Sequence, residues 1–238
     1  MHYFFQGLSL ISIKGLRRYV LIPLSINLML FAAAFFYLVQ QVQGWVNHLM
    51  SFVPEFLAFL EYLLWPLLVL SVVLSLAFSF TMIANFIAAP FNALLSEKVE
   101  LHLSGQALPE QGFGAFVKDV PRMLAREWTK FVYCFPRALV FLLAFFLLPV
   151  IGQLLWFLFT SWMMAIQYCD YPYDNHKVPF HSMRQQLRQE LTSSYSFGMT
   201  VAVASMVPFL NLLVMPVAVC GATAMWVDRF KHGHYQRQ

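Results

Sequence analysis

KGLRRYVLIPLSINLMLFAAAFFYLVQQV, residues 14–42, carries both the class of the fold and the chemistry most worth examining. Lys14, Arg17 and Arg18 precede residues 19–42, an apolar run long enough to cross a bilayer core of about 30 Å as a helix. A helix start leaves backbone N–H groups unpaired and holds a partial positive charge. Gly15 and two guanidiniums at that point suit a small oxyanion or a lipid phosphate. Basic residues beside a span more often only fix topology and touch headgroups.

Composition sets the class. The chain has 238 residues, 60% hydrophobic, 17% aromatic and 11% charged, against soluble averages of about 45–50% apolar and 25% charged. It reads as an integral membrane protein with one membrane domain. The net charge of +4 is spread over span-flanking loops rather than gathered in a basic arm, which argues against nucleic acid and for anionic headgroups or an anionic solute. Cys134, Cys169 and Cys220 are odd in number and lack metal-ligand spacing, so neither a disulfide framework nor a zinc site is expected.

Outward from the first span, residues 1–18 form an expected interfacial helix and turn. The segment is apolar before it is basic, the reverse of a signal peptide, and is expected to remain on the mature protein. Gln6, Ser9 and Ser12 make an i, i+3, i+6 polar stripe on an otherwise apolar helix that suits the membrane surface. Residues 43–62 contain no Lys or Arg, and residues 63–95 form a second span of about 50 Å, longer than a bilayer core requires. Residues 96–130 are the longest polar segment, where Arg122, Arg126 and Lys130 recur every four residues on one helix face. That stripe is expected to face solvent or headgroups.

Residues 131–168 and 196–227 are each too long for one comfortable crossing and too short for two. Pro149 and Gly152 break the first, and Pro208, Asn211 and Pro216 interrupt the second, so two half-penetrating helical hairpins are expected. The charges agree with this geometry. The 15 Lys and Arg fall as three in 1–18, six in 97–137, three in 169–195 and three in 228–238. Two full crossings and two hairpins that return to their own side place every one of them in the cytoplasm, together with both termini and the tail, 228–238. The expected fold is all-α: two long transmembrane helices, two re-entrant hairpins and an amphipathic N-terminal helix. Backbone freed at the hairpin turns must be covered by protein or water, which favours association of protomers.

Asp170-Tyr171-Pro172-Tyr173-Asp174-Asn175-His176, within the loop 169–195, packs two carboxylates and a His into seven residues. A metal or acid/base site is one reading; turns made by Asp and Asn beside Pro are the preferred one. The seven His show no i, i+4 pair, and no cofactor is implied. There is no phosphate loop, dinucleotide fingerprint or Ser-His-Asp order, hence no positive case for an enzyme.

Taken together, these stretches resemble the CysZ family of bacterial sulfate permeases, and more distantly the etoposide-induced membrane proteins of eukaryotes. The resemblance runs from Tyr3-Phe4 through Gly15-Leu16-Arg17-Arg18, Pro23-Leu24 and Asn27, to Ala89-Pro90-Phe91 with Glu97, Asp170-Tyr171-Pro172 with Asp174-Asn175-His176, and Pro208-Phe209-Leu210-Asn211 with Pro216 and Gly221-Ala222-Thr223. The family usually has Pro ahead of Gly-Leu-Arg; this chain has Lys14, a third positive charge.

The resemblance implies sulfate uptake across the inner membrane for assimilation into cysteine. It also implies a homo-oligomer built from dimers. Sulfate ligands carry over as the side chains of Arg17 and Arg18 and the backbone N–H groups of Gly15 and Leu16, with Asn27, Asn85, Glu97 and Asn211 as candidates for pore lining or gating. Helix packing is an equally good use for those four. Three other readings stay open: a scaffold or regulatory subunit of another transporter, a lipid-modifying enzyme built on residues 170–176, and a transporter of thiosulfate, selenate or molybdate.

Overall fold

The computed structural model describes residues 2–52, 61–105 and 113–231. Among them every regular element is helical. α1 is His2–Leu10, α2 Arg17–Met50, α3 Glu61–Ser104, α4 Phe113–Leu147, α5 Ile151–Asn175, α6 Phe180–Gln189, α7 Leu191–Ser205 and α8 Pro208–Met225, and α8 continues into a π-helical turn, Trp226–Phe230. Two compact units result, one of residues 22–88 and one of residues 1–21 with 89–238.

The first unit is the greater part of α2 and α3. Leu28, Met29, Phe31, Phe35 and Phe36 on α2 are all exposed. A surface this apolar is untenable in water and natural in lipid. Three helical segments among the described residues are long and apolar enough to cross a membrane: Arg17–Tyr37, Lys118–Leu147 and Leu213–Phe230. The chain is an all-helical membrane protein.

The second unit is built around α8, which carries the one span-length segment among the described residues that is mostly buried. α1 lies against α8 through a pair of glycines. A Cβ on Gly7 would fall 2.1 Å from the Val217 carbonyl, and one on Gly221 would fall 2.5 Å from the Tyr3 carbonyl. No side chain fits between the two backbones there, which is how small residues let apolar helices approach. Phe4 and Leu10 are buried on this side of α1, while Phe5 and Leu8 on the other remain exposed. α5 and α7 meet in the same way, Gly198 lying against Ser161 and Ala165.

α4 and α5 form a hairpin with its turn at Leu148, Pro149 and Val150, and α7 and α8 form a second with its turn at Met206 and Val207. The first turn falls at Pro149, close to Gly152, and the second just ahead of Pro208. Gly152 lets the first close, since a Cβ there would sit 2.1 Å from the Ala144 carbonyl. The tips are apolar and exposed: Leu147, Leu148, Val150 and Ile151 on one hairpin, Met206 and Val207 on the other. The opposite end of the first hairpin carries its charges.

Those charges correct two expectations. Arg122, Arg126 and Lys130 do not face solvent or headgroups; they turn inward against α5. Arg126 makes a bidentate contact with Asp170 at 2.7 and 2.9 Å, Arg122 reaches Asp174 at 2.5 Å, and Lys130 lies 2.6 Å from Glu127 and 3.5 Å from Asp170. Nor are residues 170–175 a turn: they are the last turns of α5, helical through Pro172 to Asn175. Two ladders of four-residue spacing, cationic on α4 and anionic on α5, face each other across the hairpin. Carboxylates and cations this deeply buried are held because each supplies the other's counter-charge. Burial lifts the Asp174 carboxyl above its usual range against the pull of Arg122 and Arg126, and Asp170 beside it adds to the rise.

Candidate oxyanion site at the start of the first span

Residues 11–16 link α1 to α2 as a tight turn. Ser12 N–H donates to the Ser9 carbonyl, Ile13 N–H to Leu10, and Leu16 N–H to Ile13 at 3.2 Å. Gly15 has φ +103° with open space around it, so glycine is required by backbone conformation and not by crowding. Leu16 and Val20 are buried in the core and pin the turn, leaving Lys14, Arg17 and Arg18 exposed around it. Arg17 Nε donates to the Ser12 carbonyl at 3.0 Å, which orients the rest of its guanidinium outward. Arg18 lies over the Tyr19 ring at 5.0 Å, with one nitrogen 3.3 Å from the phenol oxygen.

Two features make this an anion-attracting position. The first turn of α2 contains no acidic residue, so the positive end of the helix is uncompensated. Among the described residues, no carboxylate pairs with Lys14, Arg17 or Arg18, whereas Arg122, Arg126, Lys130 and Lys231 are all paired. Of the two expected backbone donors, Leu16 already spends its N–H inside the turn.

The remaining sequence candidates are not gathered at this turn by any contact among the described residues. Glu97 is partly exposed and pairs with its neighbour Lys98 at 3.3 Å. Asn27, Asn85 and Asn211 lie on α2, α3 and α8, and their side chains are outside the described residues.

Residue-by-residue reading missed a buried cluster at the ends of α3, α5 and α8. Glu100 accepts from His176 Nε2 at 2.9 Å and pairs with Lys231 at 3.0 Å, and Lys231 also donates to Ser104 at 3.0 Å. Burial raises the Glu100 carboxyl, but His176 and Lys231 together outweigh it and hold the group below its ordinary range. A depressed carboxylate contributes stability above its unfolded value and loses it as pH falls through the folded one. The melting advantage of the wild type over Glu100→Gln should therefore shrink as pH falls below about 4. Melting curves of both proteins from pH 7 to pH 3 measure it; an advantage that persists unchanged at pH 3 removes the pairing as its source.

The fold defines a class: a helical membrane protein, with an uncompensated cationic turn at the start of its first span-length helix. Residues 3–216 match the family described as Sulfate transporter CysZ/Etoposide-induced protein 2.4. A protein of Pectobacterium atrosepticum named Sulfate transporter CysZ is 52% identical over 236 residues, covering 98% of this chain and 86% of its own length. The chain belongs to this family, whose description and relative are those of a transporter and not of an enzyme.

Proposed function

We propose that this protein moves sulfate across the bacterial inner membrane, supplying sulfate assimilation and cysteine synthesis. The relative named as a sulfate transporter supports the substrate. The observation that carries the site is the pair Arg17 and Arg18, free of carboxylate partners among the described residues, at a helix start with no acid in its first turn. Gly15 and Leu16 set the turn that presents them; with Leu16 N–H bonded to the Ile13 carbonyl, Gly15 N–H is the proposed backbone donor.

Sulfate is doubly charged and strongly hydrated, so its path needs donors that replace water without holding the ion too tightly. Both hairpins enter the membrane from the cytoplasmic side with their apolar tips leading and return. α7, with 15 residues, rises about 22 Å, short of a core of about 30 Å. The exposed tips then pack against lipid or a second protomer, and a homo-oligomer of dimers lines the polar path. Asn27, Asn85, Glu97 and Asn211 are its proposed lining or gating groups.

Radiolabelled sulfate uptake into vesicles containing only the purified protein tests the reading. Flux is expected, reduced by excess unlabelled sulfate. Absence of flux from folded, inserted protein makes it a scaffold or regulator instead, and stronger competition by thiosulfate, selenate or molybdate reassigns the substrate.

A further inference from the structure

Among the described residues, the cations around the first hairpin fall into two groups. Those on the inner face of α4 are neutralised by α5, while a second group lies at the edge of the same hairpin with no such partner. α6 buries Met183 and Leu187 and presents His181, Arg184, Gln185 and Arg188, spaced i, i+3, i+4, i+7, on its other face. These four side chains line an open depression of about 280 Å³. Among the described residues no carboxylate pairs with Arg137, Arg184 or Arg188.

Arg184 is not a freely solvated side chain. Its guanidinium carbon lies 4.4 Å from the centre of the Tyr133 ring and 5.0 Å from that of Phe180, and its Nε is buried with no hydrogen-bond acceptor. Arg137 lies over the same Tyr133 ring at 3.9 Å and donates to the Tyr133 carbonyl at 2.6 Å. Two guanidiniums against one phenol ring concentrate positive charge there, which favours an anion nearby. The aromatic faces hold Arg184 in place before any ligand arrives, which removes much of the ordering cost of binding.

Depth along the hairpin points the same way. Ten apolar residues, 138–147, separate Arg137 from the tip of α4, a rise of about 15 Å. That is half of a hydrocarbon core of about 30 Å. With the apolar tip in the core, Arg137, Tyr133 and the basic face of α6 come within reach of headgroup phosphates by snorkelling.

We propose that α6, with Arg137 beside it, forms a second oxyanion site separate from the turn at Gly15. Its ligand is a phosphate-class tetrahedral oxyanion, carried by an anionic phospholipid headgroup or free in solution. The site does not depend on the proposed transport of sulfate.

The test uses the full chain in nanodiscs, wild type against Arg184→Gln with Arg188→Gln. In discs mixing phosphatidylcholine and phosphatidylglycerol, native mass spectrometry reads the phosphatidylglycerol retained. In discs of phosphatidylcholine alone, radiolabelled sulfate binding reads sites per chain. Each surface cation contributes about a 5-fold gain for an anionic headgroup, so the double variant should bind phosphatidylglycerol about 10- to 30-fold more weakly. That loss with unchanged sulfate stoichiometry assigns a lipid phosphate; loss of one sulfate per chain in phosphatidylcholine discs assigns a free oxyanion. Equal lipid retention and equal sulfate stoichiometry in a folded variant overturn the proposal. Should the double variant fail to fold, Arg188→Gln, an exposed position, replaces it with an expected loss of about 5-fold in one arm, and no loss in either overturns the proposal.

Discussion

Replacing Arg126 with Met is expected to cost about 3–5 kcal/mol of stability, the usual result of stripping the counter-charge from a buried ion. Arg126 donates from two nitrogens to Asp170, whose side chain is 1% exposed, and lies 4.0 Å from Asp174 as well. Methionine keeps much of the length and apolar body of the side chain, so the loss reads charge and hydrogen bonding more than volume. Lys130, 3.5 Å from Asp170, already serves Glu127 at 2.6 Å and cannot fully replace the guanidinium. Thermal melting in detergent, with the folded fraction after gel filtration, measures the cost. Adding Asp170→Leu should return much of it, because an apolar pair fills the site without a stranded charge. A double variant no more stable than Arg126→Met alone would show that the ladder is not what the hairpin requires.

The turn of this hairpin was legible in the chain, though its arms, α4 and α5, run well beyond the expected residues 131–168. Pro149 and Gly152 in the middle of a long apolar run required a turn, and the turn is at 148–150. What escaped was the pairing across it. Arg122, Arg126 and Lys130 have a spacing of four, and so do Asp170 and Asp174, yet each row taken alone looks like a solvated face or a loop. Only a hairpin of matched arm lengths brings residue 126 opposite residue 170. A four-spaced cationic row and a four-spaced anionic row at equal distances from one turn are the signal that was available. Pro172 also argued against helix, but α5 carries it through to Asn175 with packing around Tyr171 and Tyr173, both buried.

The candidate site was legible for a different reason. Gly15, Leu16, Arg17 and Arg18 are contiguous, so their geometry depends on a local turn and a helix start, which sequence encodes directly. The basic face of α6 was harder to see, because its significance rests on which cations lack partners. That is a property of the whole arrangement of charge, and Arg137, Tyr133 and Arg184 meet only after α4 and α6 are placed.

Arg17→Ala together with Arg18→Ala is expected to weaken sulfate binding about 100-fold and to reduce uptake correspondingly, at about 1.5 kcal/mol for each charge-assisted hydrogen bond lost. Neither side chain is buried, and Leu16 and Val20, which anchor the turn, are untouched, so the protein should remain folded and inserted. Sulfate binding to purified protein and uptake into vesicles read the two effects separately. Undiminished binding removes the pair from the site. Binding lost with flux retained assigns it to regulation, since a turn with the proposed cytoplasmic placement would meet sulfate as it leaves the path and suit a sensor of internal anion. Binding and flux lost together make it part of the conduction path, which for an importer requires access from outside. Lys14→Cys, exposed beside the turn, distinguishes these placements by labelling with a membrane-impermeant thiol reagent from one side or the other, in a background with Cys134, Cys169 and Cys220 replaced by Ser. Labelling only from the cytoplasm fits a release or sensing site; labelling from both sides of a uniformly oriented preparation requires protomers of opposite orientation in one oligomer.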